Sequence, residues 1–112
     1  MQPDFYVHYN YEYAVLFLPE EVIISNSGQF KEKLQALMDE GYQTVYLDCS
    51  KLKMFDTTAI ISVGALNKRF EEMGGGLKFI NVESDYIKSM FETIQLHKIV
   101  EIEYSRDCRS YE

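Results

Sequence analysis

The sequence predicts a single α/β domain with a mixed, mostly parallel sheet of four to five strands and an N-terminal hairpin. Two observations predict it. Short runs of branched and aromatic residues alternate with stretches whose apolar residues recur at helical spacing, the pattern of strands joined by helices. The chain is 112 residues long, 46% hydrophobic and 26% charged, which suits one domain with a real core and leaves little room for a second. No repeat, linker or low-complexity segment divides residues 1–112.

Each element has its own signal. "FYVHY" and "EYAVLFL" flank the turn-prone Asn10 and read as a β-hairpin. The tyrosines Tyr6, Tyr9, Tyr11 and Tyr13 are expected as half-buried strand surface. "PEEVI" reads as a loop. Asn26 or Ser27 caps a helix carrying Phe30, Leu34, Leu37 and Met38 on one face, and Gly41 ends it. "QTVYLDCS" is a strand finishing on polar residues.

Ala59, Val63, Leu66 and Phe70 then form the buried stripe of a second helix running to about Met73, stopped by the glycines at 74–76. "LKFINV" is a strand, and Ser84 and Asp85 open a third helix facing inward with Ile87, Met90, Phe91 and Ile94. "IVEIEY" offers a short final strand, and residues 105–112 read as a loose polar tail.

Composition narrows the function. The net charge of −7, from 18 acidic and 11 basic side chains, repels phosphate backbones and anionic lipid, so nucleic acid is not an expected partner. Apolar runs such as "AVLFLP" are far too short to span a bilayer, so no stable membrane insertion is expected. "MQPDFYVHYN" has neither a basic nor an apolar signal region, which makes the cytoplasm the expected location. Cys49 and Cys108 with His8 and His97 show no ligand-like spacing, so neither a metal nor a cofactor is expected.

The segment "MFDTTAIISV" carries the chemistry. Asp56, Thr57 and Thr58 stand between a strand and a helix, where α/β proteins gather ligands and where backbone N–H groups favour negative charge. A phosphorylated Thr57 would meet donors there, while Asp and Thr are equally plain helix caps. On a helical wheel Ile61 points away from the buried stripe, with Ala65 and Lys68 nearby and Gly64 alongside, which makes a flat apolar surface suited to docking a protein. Neither histidine nor lysine accompanies the threonines to activate an alcohol, and "GGG" follows a helix instead of leading into one, so no enzyme is expected.

Residues 43–103 carry a resemblance. "VYLDCSKLKMFDTTAIISVGALNKRFEEMGGGLKFINV", followed by "FETIQLHKIVEI", resembles a STAS domain of the anti-sigma factor antagonist family. That family has a strand ending Asp-Leu-Ser, an apolar lead into Asp-Ser-Ser-Gly, a helix, a Gly-rich turn and a strand. Its closing pattern is matched by Phe91, Glu92, Leu96 and Ile99.

The resemblance implies one STAS-like domain with its helices mainly on one face of the sheet, acting as a partner-switching regulator of transcription. Unphosphorylated, such an antagonist binds an anti-sigma factor that is itself a serine/threonine kinase and that holds the ATP. Phosphorylation of the motif's first hydroxyl ends the binding, and a phosphatase restores it. Asp56 matches the motif acid, Thr57 the phospho-acceptor and Thr58 the second hydroxyl and second candidate, with Ala59 in place of glycine.

The implied partner surface comprises Glu21, Ile23, Asp56, Thr57, Thr58, Ile61, Ala65 and Lys68. Glu20, Glu21, Val22 and Ile23 stand where members often show Gly-Glu-Leu-Asp, so the aspartate is absent. The alternative is an unphosphorylated STAS adaptor in a stressosome-like or transport-associated assembly, in which Thr57 only caps a helix.

Overall fold

The structure, a computed structural model, describes residues 5–105. Strands β1 (Tyr6–Tyr9) and β2 (Ala14–Phe17) form the hairpin, followed by a two-residue strand β3 (Glu21–Val22) and helix α1 (Ser27–Asp39). Then come β4 (Thr44–Asp48), a second two-residue strand β5 (Met54–Phe55) and helix α2 (Thr57–Glu72). The chain continues through β6 (Gly76–Val82), α3 (Asp85–Thr93), a 3-10 turn (Leu96–Lys98) and β7 (Glu101–Tyr104).

The main sheet has the order β1-β2-β4-β6-β7, with β1 antiparallel to β2 and the remaining pairs parallel. Its register aligns apolar residues in rows across the strands. Ala14, Val45 and Leu77 form one row, and Leu16, Leu47 and Phe79 the next. All six are buried, because alternate strand residues share a face and this face meets the helices.

Helix α1 contributes Phe30, Leu34 and Leu37 to that layer, and α2 contributes Ala59, Val63, Leu66 and Phe70. The rings of Phe55, Phe79 and Phe91 meet with centroids 5.0–6.0 Å apart and join the sheet to α3. The opposite face has no described helix over it. There Val15, Tyr46 and Ile80 are half-buried, and Tyr13 packs edge-on against Tyr46 at 4.8 Å.

Turn geometry follows the glycines. Gly41 ends α1 at φ +98°, and Gly74 ends α2 at φ +104°. A side chain at Gly75 would overlap the Gln43 carbonyl, because the chain entering β6 runs against that backbone.

Four expectations need correction. "PEEVI" is not only loop: Glu21–Val22 pairs in parallel with Met54–Phe55 as a small separate ladder. Ile94 does not face inward; it is the residue closing α3 and is 42% exposed. Tyr6, Tyr9 and Tyr11 are exposed, Tyr11 almost fully, so only Tyr13 is half-buried. Asn26 stands at the N-cap of α1 as expected, but its side chain does not cap the helix; it accepts from Ile23 N–H and donates to the Glu21 carbonyl. The tail expectation falls largely on residues 106–112, which lie outside the described residues, as does Cys108.

Candidate functional site

The site is assembled where β3 and β5 meet, beyond the carboxyl ends of β2 and β4. The ladder is started by Glu20, whose carbonyl accepts from both Lys53 N–H (2.7 Å) and Met54 N–H (3.0 Å). Val22 O then accepts from Asp56 N–H at 3.1 Å. These bonds fix the 20–26 segment alongside the entry to α2.

Asp56 is the N-cap of α2. Its Oδ1 accepts from Ala59 N–H at 3.1 Å, satisfying one of the helix's orphan donors, and its carbonyl accepts from Ile60 N–H. The other carboxylate oxygen, Oδ2, accepts from Ile24 N–H at 2.9 Å. One side chain therefore starts the helix and holds the β3–α1 loop against it. The capping role belongs to Asp56, so Thr57 is not the cap; it is the first helical residue.

Thr57 is exposed and Thr58 half-buried. The Thr58 carbonyl is engaged by Ser62 Oγ–H at 3.1 Å. Counting along α2 in steps of three and four, Thr57, Ile61, Ala65 and Lys68 share one face, and all four are exposed. Ile61, at 65% exposure, is opposite in role to its neighbours Ser62 and Val63, which are buried.

The structure brings Glu21 and Ile23 to the same place through the β3–β5 ladder; Glu21 is exposed and Ile23 half-buried. Two residues escaped sequence reasoning. Ile24 is 73% exposed and Met54 43% exposed, and both flank Asp56, one through the Oδ2 bond and one through β5. The signal available was faint: "VII" and "KMF" are apolar stretches that a buried strand would also show.

Behind the site, Asp48 closes β4. It is buried, and its Oδ1 accepts from Ser50 N–H and Oγ–H while Oδ2 accepts from Asn81 Nδ2. Asn81 adopts φ +57°, a left-handed conformation that asparagine tolerates. Neighbouring Cys49 is buried, and that burial, with the Asp48 carboxylate beside it, pushes its thiol pKa well up. Its chemistry is that of a small core hydrophobe.

A parallel-rich sheet edged by a hairpin, with an acid-capped helix displaying a hydroxyl at its first turn, defines a class of small α/β domain. The family profile of the STAS domain matches residues 2–107, and the chain belongs to that family. The chain is also similar to solved structures.

An anti-sigma factor antagonist from Mycobacterium paratuberculosis shares 12% identity at a TM-score of 0.79, covering 96% of this chain and 92% of that one. A STAS domain protein from Planctomyces limnophilus shares 18% at 0.78, covering 96% and 94%. The Bacillus cell fate determinant SpoIIAA, in its phosphorylated form, shares 17% at 0.68, covering 92% and 93%. At these identities the likeness is one of fold. No curated protein matches the sequence.

Proposed function

We propose that the protein is an anti-sigma factor antagonist working by partner switching. It binds an anti-sigma factor kinase when unmodified and is released when Thr57 is phosphorylated. The observation that carries this reading is the exposed Thr57 hydroxyl at the first turn of α2, between the capping Asp56 and the exposed Ile24, Met54 and Ile61.

The chemistry is simple on this chain's side. The Thr57 oxygen attacks the γ-phosphorus of ATP held by the kinase, ADP departs, and the hydroxyl proton passes to a base on the kinase. Thr57 is favoured over Thr58 because it is the more exposed of the two. The product places about −1.5 to −2 charges beside Asp56 and the apolar residues, which opposes an apolar contact by like-charge repulsion and desolvation. A phosphatase then returns the hydroxyl. The match to the STAS family and the fold shared with a phosphorylated SpoIIAA support the reading.

Intact mass and phosphosite mapping of the protein from its own cells, before and after phosphatase treatment, test it. A phosphate on Thr57 is the expected result. A single unmodified species under growth and stress conditions would overturn the switch.

A further inference from the structure

We propose that β1 is a self-association strand, through which two copies of the chain pair antiparallel about a two-fold axis and join their sheets into one. The backbone geometry gives the first argument. Asn10 N–H donates to the Tyr13 carbonyl at 2.9 Å, so Asn10–Tyr13 is a hydrogen-bonded pair of the hairpin. Such pairs alternate along an antiparallel ladder, which makes His8–Val15 and Tyr6–Phe17 the next two. The N–H and C=O groups of Val7 and Tyr9 therefore turn outward, and no described strand lies beyond β1 to receive them.

The two edges of the sheet differ in how they are guarded. β7 carries Glu101 and Glu103, and its pairing with β6 is interrupted by an irregularity between Phe79 and Val82. Charges and bulges are the usual devices that keep an edge from pairing. β1 has neither: it reads "YVHY", with Tyr6 68% and Tyr9 56% exposed.

Charge identifies the occupant. The chain bears −7 overall, so two copies repel across most of their surfaces. The hairpin from Phe5 to Leu18 carries a single acid, Glu12, and no lysine or arginine, and so offers an approach with little like-charge repulsion. A strand pairing antiparallel with its own copy makes the same contacts from both sides and closes at two chains. Pairing β1 with a neighbour's β7 would instead propagate a filament, and the two glutamates oppose it.

The experiment is light scattering across a concentration series, together with amide hydrogen exchange of the unmodified full chain. We expect a mass of twice the 13.1 kDa chain at high concentration, falling to one chain on dilution. Val7 and Tyr9 amides should exchange at least about tenfold more slowly in the concentrated sample. Tyr9→Pro removes an outward donor without breaking a bond to β2, and His8→Lys adds an edge charge at an exposed position; both should remain single chains with unchanged circular dichroism.

A wild-type chain that stays single at every concentration overturns the proposal. So does a dimer that both variants preserve, or fast Val7 and Tyr9 exchange in the concentrated sample. Protection of those amides only by a different protein would assign the edge to that partner and equally overturn self-pairing.

Discussion

Asp56 reaches back along the chain to Ile24, whose N–H donates to its Oδ2 at 2.9 Å, while Oδ1 holds Ala59 N–H at the start of α2. The two contacts can be separated by mutation. Asp56→Asn keeps an amide oxygen that can cap the helix but offers no second acceptor to Ile24; Asp56→Ala offers neither. We expect Asp56→Ala to cost about 2 kcal/mol and Asp56→Asn about 1 kcal/mol, read from urea midpoints at unchanged slope. No loss in Asp56→Asn would show that the Ile24 bond contributes nothing, and equal losses for the two variants would show the same of the cap.

The proposed docking surface is tested by charge. Thr57→Asp and Ile61→Glu should each weaken binding to the proposed partner, an anti-sigma factor kinase, at least about tenfold while leaving the fold intact, since both positions are exposed. Ile24→Glu should do the same, because Ile24 sits on the loop that Asp56 fixes. Isothermal titration against the kinase is the measurement, and wild-type affinity for Ile24→Glu would confine the surface to α2.

Two glycines predict opposite outcomes. Gly75→Ala places a methyl group into the Gln43 carbonyl, a backbone neighbour that cannot rotate aside. A loss of at least about 3 kcal/mol is expected, or failure to fold. Gly64 lies within α2 with nothing within 4 Å of its absent side chain. Gly64→Ala should stabilise the protein by about 0.5–1 kcal/mol, measured by thermal or urea unfolding.

Cys49 predicts a pH dependence. Burial first, then Asp48, raises its pKa in the fold above the unfolded value near 9.0. The folded state thus favours the neutral thiol; its contribution is fully present below the unfolded pKa and is lost as pH rises through the folded one. Stability of the wild type should fall above about pH 9 more steeply than that of Cys49→Ala. Parallel urea titrations from neutral to alkaline pH measure the difference, and coincident curves would refute it.

The sequence disclosed what periodicity can disclose. Ala59, Val63, Leu66 and Phe70 are buried as their spacing requires, and Ile61 is exposed for the same reason. The hairpin and the β4, β6 and β7 strands follow from branched and aromatic runs. The β3–β5 ladder was not legible, because two residues have no period and their partners lie far along the chain. Exposure of Ile24 and Met54 depends on that ladder and was hidden with it.

Asn67 was equally silent. It sits within the buried stripe of α2, where only the fold shows why a polar residue is held: its Oδ1 accepts from Leu77 N–H at 2.8 Å, and its Nδ2 donates to the Ile99 carbonyl at 3.0 Å. That amide stitches α2 to the start of β6 and to the turn before β7.

The one-sided placement of the helices also divides the protein optically. The chain has no tryptophan and nine tyrosines, and no described tyrosine is buried. The packed layer holds phenylalanines instead, Phe30, Phe55, Phe70, Phe79 and Phe91 among them. Intrinsic emission therefore reports on the surface, chiefly the open face and edges of the sheet, with Tyr42 and the α3 residue Tyr86 besides, while the interior is nearly dark. Loosening of the core and rearrangement of the surface would appear in different spectroscopic channels, the first in phenylalanine ring-current shifts and the second in tyrosine fluorescence.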